Sequence, residues 1–132
     1  MNTVEPIRDI ETVLDIADYL QERNQRDYVM FMFGIYSGLR ICDILQFRVR
    51  DVRDKDHISR REKKTQKEKR FPINRELKKI LKEYIADKKD YEYLFKNPHE
   101  PNKAITRQQA YNILSAAGKQ FGLDSIGTHT LR

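Results

Sequence analysis

The stretch YVMFMFGIYSGLRICD, Tyr28 to Asp43, decides the fold. Its first nine residues, Tyr28–Tyr36, are apolar on every side of a helix, so they predict a buried central helix on which others pack. Ser37 and Gly38 break that helix, the glycine being free to take the left-handed turn. A short second helix is expected from about Leu39, with Ile41, Ile44 and Leu45 turned inward. Cys42 lies among these apolar positions and reads as a small buried core residue. Arg40 opens the second helix, and the turn fixes its backbone against the core. A guanidinium mounted there offers a planar donor fork to phosphate oxygens, beside a helix N-terminus that also favours anions. Asp43, three residues on, shares its face and can hold the fork in one orientation. Taken by itself the motif fits a surface Arg–Asp pair of little energetic weight equally well.

Working outward, Asp9 can cap a helix running through about Arg23, with Ile10, Val13, Leu14, Ala17 and Leu20 on one face. Downstream, His57-Ile58-Ser59 and Arg70-Phe71-Pro72-Ile73 read as two short strands around a polar turn. From Asn74, the spacing of Leu77, Ile80, Leu81, Tyr84 and Ile85 predicts another amphipathic helix. Residues 88–104 carry two prolines and read as a loop around Tyr93, Leu94 and Phe95. Thr106 and Gln109 form a capping-box pair that opens a helix carrying Ala110, Ile113, Leu114, Ala117 and Phe121. The fold class is therefore α+β: one mainly helical domain over residues 1–132 with a small antiparallel hairpin at its edge. There is no internal repeat and no low-complexity segment.

The net charge of +6 is unevenly placed. Between Arg48 and Arg70 there are eleven Lys/Arg against five Asp/Glu, while the rest of the chain holds fifteen of each sign. An excess confined to one segment is what a nucleic-acid footprint looks like, with Arg60, Arg61, Lys63, Lys67, Lys69 and Arg70 as the contacting residues. A solvated charge-rich loop would look the same at this level. One cysteine excludes an internal disulfide and fits a reducing compartment. The acidic N-terminus MNTVEPIRDIE lacks the apolar run of a cleavable signal, and no segment is long enough to span a bilayer, so the cytoplasm is the expected location.

Two further motifs carry chemistry. A lysine on the hairpin turn can reach into a groove as a mobile cation, and beside other cations its pKa can fall far enough to donate a proton. His129 and Arg132, at i and i+3, share a face at a helix start that Thr128 is placed to cap. They offer an imidazole for proton transfer and a second phosphate-binding fork. Either motif by itself is common.

The combination is not. Gly38-Leu39-Arg40 with an acidic residue three positions on, a basic hairpin running K-x-x-K-x-x-x-x-P-I into Pro72-Ile73, and then His129-Thr130-Leu131-Arg132 resemble the tyrosine recombinase (phage integrase) family in order and spacing. Leu45-Gln46-Phe47 and Asp51-Val52 add to the likeness. The resemblance implies that Arg40 and Arg132 are the two catalytic arginines, His129 an active-site histidine and Asp43 a supporting residue. It makes Lys64, counted back from Pro72, the hairpin lysine, with Lys63 and Lys67 as alternatives. It implies site-specific recombination of double-stranded DNA through a 3′-phosphotyrosyl link, needing neither metal nor cofactor, by a protein that assembles as a tetramer on paired sites.

Two departures from the family pattern stand out. The family's nucleophilic tyrosine follows the His-x-x-Arg helix, whereas all seven tyrosines here precede it. The 132 residues therefore read as a catalytic domain truncated before its nucleophile, with no separate N-terminal clamp domain, expected to bind DNA without cutting it. A non-catalytic DNA-binding module is the alternative. An RNA-binding domain has less support, because the aromatic residues lie in apolar helices and not among the basic ones.

Overall fold

The computed structural model describes residues 10–61 and 67–122. At its centre is α2 (Gln25–Ser37), preceded by α1 (Ile10–Arg23) and followed by the one-turn α3 (Ile41–Ile44). The apolar run explains its position: Val29, Met30, Phe31 and Phe33 are all buried, and α2 packs on α1, α3 and the later helix α4 (Arg75–Ile85). Asn24 starts α2 by accepting the Asp27 backbone N–H at 3.3 Å. The last helix, α5 (Arg107–Lys119), packs on α1 and α3, and its capping box forms as read, with Thr106 Oγ1 accepting from Gln109 N and Gln109 Oε1 from Thr106 N.

Aromatic rings join the layers. Phe33 of α2 stacks on Phe47 at 5.7 Å and meets the edge of Phe95 at 6.1 Å, and Phe95 in turn stacks on Tyr84 of α4 at 6.2 Å. Burial pushes the Tyr84 phenol well above its ordinary pKa, and its O–H is used structurally, donating to the Leu94 carbonyl at 2.7 Å.

Gly38 ends α2 with φ 70°, its N–H donating to the Gly34 carbonyl at 3.0 Å. A Cβ added there would meet nothing within 4 Å. The cost of Gly38→Ala is therefore backbone strain alone, about 1 kcal/mol. Urea unfolding should show a lower midpoint at unchanged slope. A loss of more than about 3 kcal/mol would mean that the turn has no room to adapt.

Strands β1 (His57–Arg61) and β2 (Glu68–Pro72) form one antiparallel pair, in register Ile58 with Phe71 and Ser59 with Arg70. Ile58 is buried, so by strand alternation its face is the inner one, and His57, Ser59 and Arg70 belong to the outer face. A 3₁₀ turn at Val49–Asp51, not foreseen from the sequence, leads from α3 towards the sheet. Residues 88–104 are a loop, as expected, and it is tied down. Leu94 N donates to Phe47 O, Val49 N to Glu92 O and Ile105 N to Phe95 O, each at 2.9 Å.

Three packing expectations need correction. Cys42 is exposed: with Ile41, Asp43 and Ile44 on the buried side of a single turn, position 42 is left on the outside. Ile10 and Leu14 are 72% and 56% exposed, because the buried stripe of α1 runs through Ile16, Ala17 and Leu20. Phe121 lies past the end of α5, partly exposed and edge-on to Tyr19 at 5.9 Å.

Candidate functional site

The turn at Gly38 delivers Arg40 to the N-cap of α3, with φ −70° and ψ 151°. Ser37 Oγ accepts the Leu39 N–H at 3.2 Å, and the Arg40 carbonyl accepts the N–H groups of Asp43 and Ile44 at 3.0 Å each. Leu39 and Ile41, on either side, are buried. The backbone of Arg40 is thus clamped while its side chain projects into solvent, as a mounted phosphate-binding fork requires.

Asp43 is only 7% exposed. The Cys42 thiol lies 4.0 Å from its Oδ1. Arg40 and Asp43 share the one turn of α3 and are joined through the backbone, and among the described residues no ion pair links their side chains. A buried carboxylate three residues from an exposed guanidinium adds a negative potential to the same turn.

The hairpin carries the other basic positions. Lys67 and Arg70 are exposed, and the register pairs Arg60 with Lys69 and Arg61 with Glu68. Helix α3 packs on α2 and α5, while β1 and β2 pack chiefly on each other. Lys63, Lys64, His129 and Arg132 lie outside the described residues.

Two residues of the basic segment turn out to have structural work. The Arg48 guanidinium sits 4.1 Å from the centre of the Tyr93 ring and donates to the Tyr91 carbonyl and to Asn102 Oδ1, stapling the loop of residues 88–104. Arg53 donates to the carbonyls of Ile85 and Lys88 at 2.9 and 2.6 Å, closing the end of α4, and pairs with Asp90 at 3.0 Å. Neither is a free surface charge.

Three of the seven tyrosines are placed as framework, whereas Tyr36 and Tyr91 are exposed. Tyr84 is locked on Leu94, Tyr93 lies under Arg48, and Tyr19 packs against Phe121 with Arg23 4.4 Å above its ring. Among the described residues no group of His, Cys, Asp and Glu is arranged to hold a metal ion, and no helix is long and apolar enough to cross a membrane.

Residues 7–132 match the model of the family described as "Phage integrase family". The chain belongs to that family. Probable integrase/recombinase YoeC of Bacillus subtilis (strain 168) is 48% identical to it over 132 residues, covering 100% of this chain and 72% of that protein. Tyrosine recombinase XerD of Listeria innocua serovar 6a is 25% identical over 133 residues, covering 94% of this chain and 44% of the relative. The crystal structure of XerA recombinase superposes with a TM-score of 0.78 at 17% identity, over 99% of this chain and 48% of that one. The chain thus spans less than half the length of the XerD and XerA proteins it matches, and the structural likeness establishes the shared fold. The mainly helical domain with one two-stranded sheet is a phage integrase fold, as the motif resemblance implied.

Proposed function

We propose that this phage integrase family member takes part in site-specific recombination of double-stranded DNA, by strand cleavage and rejoining through a 3′-phosphotyrosyl intermediate. The observation that carries the reading is Arg40: an exposed arginine on a clamped helix cap, three residues before the buried Asp43, in a chain of this family.

In the proposed reaction a tyrosine hydroxyl, from sequence beyond residue 132, attacks the scissile phosphorus. The bond from phosphorus to the 5′-oxygen breaks, leaving a 3′-phosphotyrosine and a free 5′-hydroxyl. One phosphodiester replaces another of similar energy, so no nucleotide cofactor is consumed. Arg40 and Arg132 neutralise charge on the non-bridging oxygens, the main means by which a protein accelerates phosphoryl transfer. Lys64 gives its proton to the departing 5′-oxygen. His129 takes the tyrosine proton or stabilises the same charge, and Asp43 orients Arg40. The complete assembly on DNA is proposed to be a tetramer on paired sites.

For the 132 residues by themselves the proposal is binding without cutting. The locked Tyr84 and Tyr93 support it, as does the place of all seven tyrosines before His129. Incubated with a nicked duplex, the chain is expected to retard the DNA in a native gel and to leave no protein–DNA band after denaturation. Binding should be sequence-tolerant and weaken steeply with salt, because phosphate contacts dominate it. Reversing Lys63, Lys67 and Lys69 to Glu should flatten the salt dependence. A band that survives denaturation would return the search to these seven tyrosines. A salt slope unchanged by the triple reversal would make the hairpin a solvated loop.

A further inference from the structure

Between the outer face of the sheet and the turn that precedes it lies an open, polar cleft of about 620 Å³. Its walls come from the 3₁₀ turn and the residues after it (Arg50, Asp54, Lys55) and from the sheet (His57, Ser59, Arg70). The sheet residues are those that the register assigns to the outer face: Ser59 pairs with Arg70, and His57 lies two residues from Ser59 on the same side.

The charge of this cleft differs from its composition. Three aspartates line it: one is hydrogen-bonded to a backbone N–H and one is neutralised by a lysine outside the cleft. Asp51 Oδ2 accepts the Arg48 backbone N–H at 2.7 Å, and Asp56 is paired with Lys78, whose hydrogen bond holds the Asp56 carboxyl below its usual pKa. Arg50, Lys55 and Arg70 are exposed, and no ion pair holds them among the described residues. With Asp56 neutralised by Lys78, three cations face the two carboxylates of Asp51 and Asp54, a net positive lining, with the Ser59 hydroxyl and the His57 imidazole as added hydrogen-bonding groups. A floor without apolar residues does not suit a drug-like ligand. Several convergent cations on an open surface suit backbone phosphates, which are held by position and not by base identity.

We propose that this cleft at the root of the hairpin seats a short run of DNA backbone through Arg50, Lys55 and Arg70, in addition to the phosphate site at Arg40. The inference rests on the DNA reading above and adds to it a contact that sets the duplex's register on the sheet. Arg50 and Lys55 become DNA-contacting residues, whereas Arg48 and Arg53, in the same basic segment, do not.

Asp54 provides a test that loss of folding cannot imitate. Its φ is 56°, in the left-handed region where asparagine is as well tolerated as aspartate. Asp54→Asn therefore removes one of the two uncompensated acids of the cleft and leaves the turn intact. Fluorescence anisotropy with a labelled duplex of arbitrary sequence should show Asp54→Asn binding about threefold more tightly at low salt. Arg50→Gln, Lys55→Gln and Arg70→Gln should each weaken binding several-fold, equally on unrelated sequences, and each should lower the salt slope by about one. Arg48→Gln should leave the slope unchanged.

Inorganic phosphate, exchanged for chloride at constant ionic strength, separates a backbone seat from a free-phosphate site. No extra displacement of duplex is expected. Displacement at low millimolar phosphate that vanishes in Arg50→Gln would assign the cleft to free phosphate and overturn the proposal. If the chain binds duplex with a steep salt slope and none of the four cleft variants moves it, the seat is wrong and the DNA reading stands. If it binds no duplex at all, both fall.

Discussion

Replacing Arg40 by alanine is expected to slow DNA strand cleavage by roughly a hundredfold or more while changing duplex affinity little. On the proposed mechanism the measurement uses a polypeptide that includes the attacking tyrosine, with cleavage followed in single turnover at saturating protein. The reason is where the charge goes. Before attack, the scissile phosphate carries the same charge as every other phosphate along the duplex, and one fewer contact among many costs little affinity. As the tyrosine oxygen approaches and the 5′-oxygen leaves, charge redistributes onto the non-bridging oxygens, and only donors already aimed there stabilise it. Losing one preorganised donor costs on the order of 3 kcal/mol in the barrier, and 1.36 kcal/mol is tenfold in rate.

The structure supports preorganisation at Arg40 specifically. Its carbonyl is held by two helix N–H groups, its neighbours Leu39 and Ile41 are buried, and among the described residues no ion pair holds its guanidinium. Arg40→Lys should recover only part of the rate, since an ammonium offers no planar pair of donors. Arg132→Ala should behave as Arg40→Ala does. Equal losses in rate and affinity would demote both arginines to docking residues.

How much of this was legible in the sequence depends on the kind of signal. The break at Gly38 and the capping box at Thr106 and Gln109 are local. Each is decided by a few adjacent residues, and each appears as read. The α2 core was legible because an all-apolar run leaves no choice of face. Cys42 was misread for the opposite reason: α3 is a single turn, too short for periodicity to say which side is in. In α1 the template matched Ile10 and Leu14, yet the packing of α1 on α2 and α5 selects the stripe through Ile16 and Leu20. Choice of face is a tertiary decision, and the pattern of one helix does not contain its neighbours.

The charge excess shows the same limit. Counting treats Arg48 and Arg53 like Arg50 and Lys55, because all four are basic residues in one segment. Their roles diverge only through partners 32 to 54 residues away, Tyr91, Tyr93 and Asn102 for one and Ile85, Lys88 and Asp90 for the other. Nothing in the local spacing of the basic segment hints at those contacts. Family resemblance fared better for the family and the fold, because motifs set at fixed intervals along the chain survive where packing signals do not.

The last expectation concerns Lys64, for which Lys63 and Lys67 are the alternatives. A general acid has one indispensable act here, to protonate the departing 5′-oxygen, which leaves poorly as an alkoxide. A sulfur in the 5′-bridging position leaves readily without that proton, because a thiol is several pKa units more acidic than an alcohol. In the polypeptide that includes the tyrosine, Lys64→Ala should therefore cleave ordinary DNA very slowly and the sulfur-substituted duplex at nearly the unsubstituted protein's rate. Arg40→Ala should gain no comparable rescue, since its task concerns the non-bridging oxygens, which the substitution leaves in place. Lys63→Ala and Lys67→Ala should show modest defects that sulfur does not repair. Rescue that follows Lys63 or Lys67 would move the proton donor along the hairpin and keep the mechanism. Rescue of no lysine variant would remove proton donation from the hairpin altogether and leave its cations, with Arg50 and Arg70, to hold the backbone.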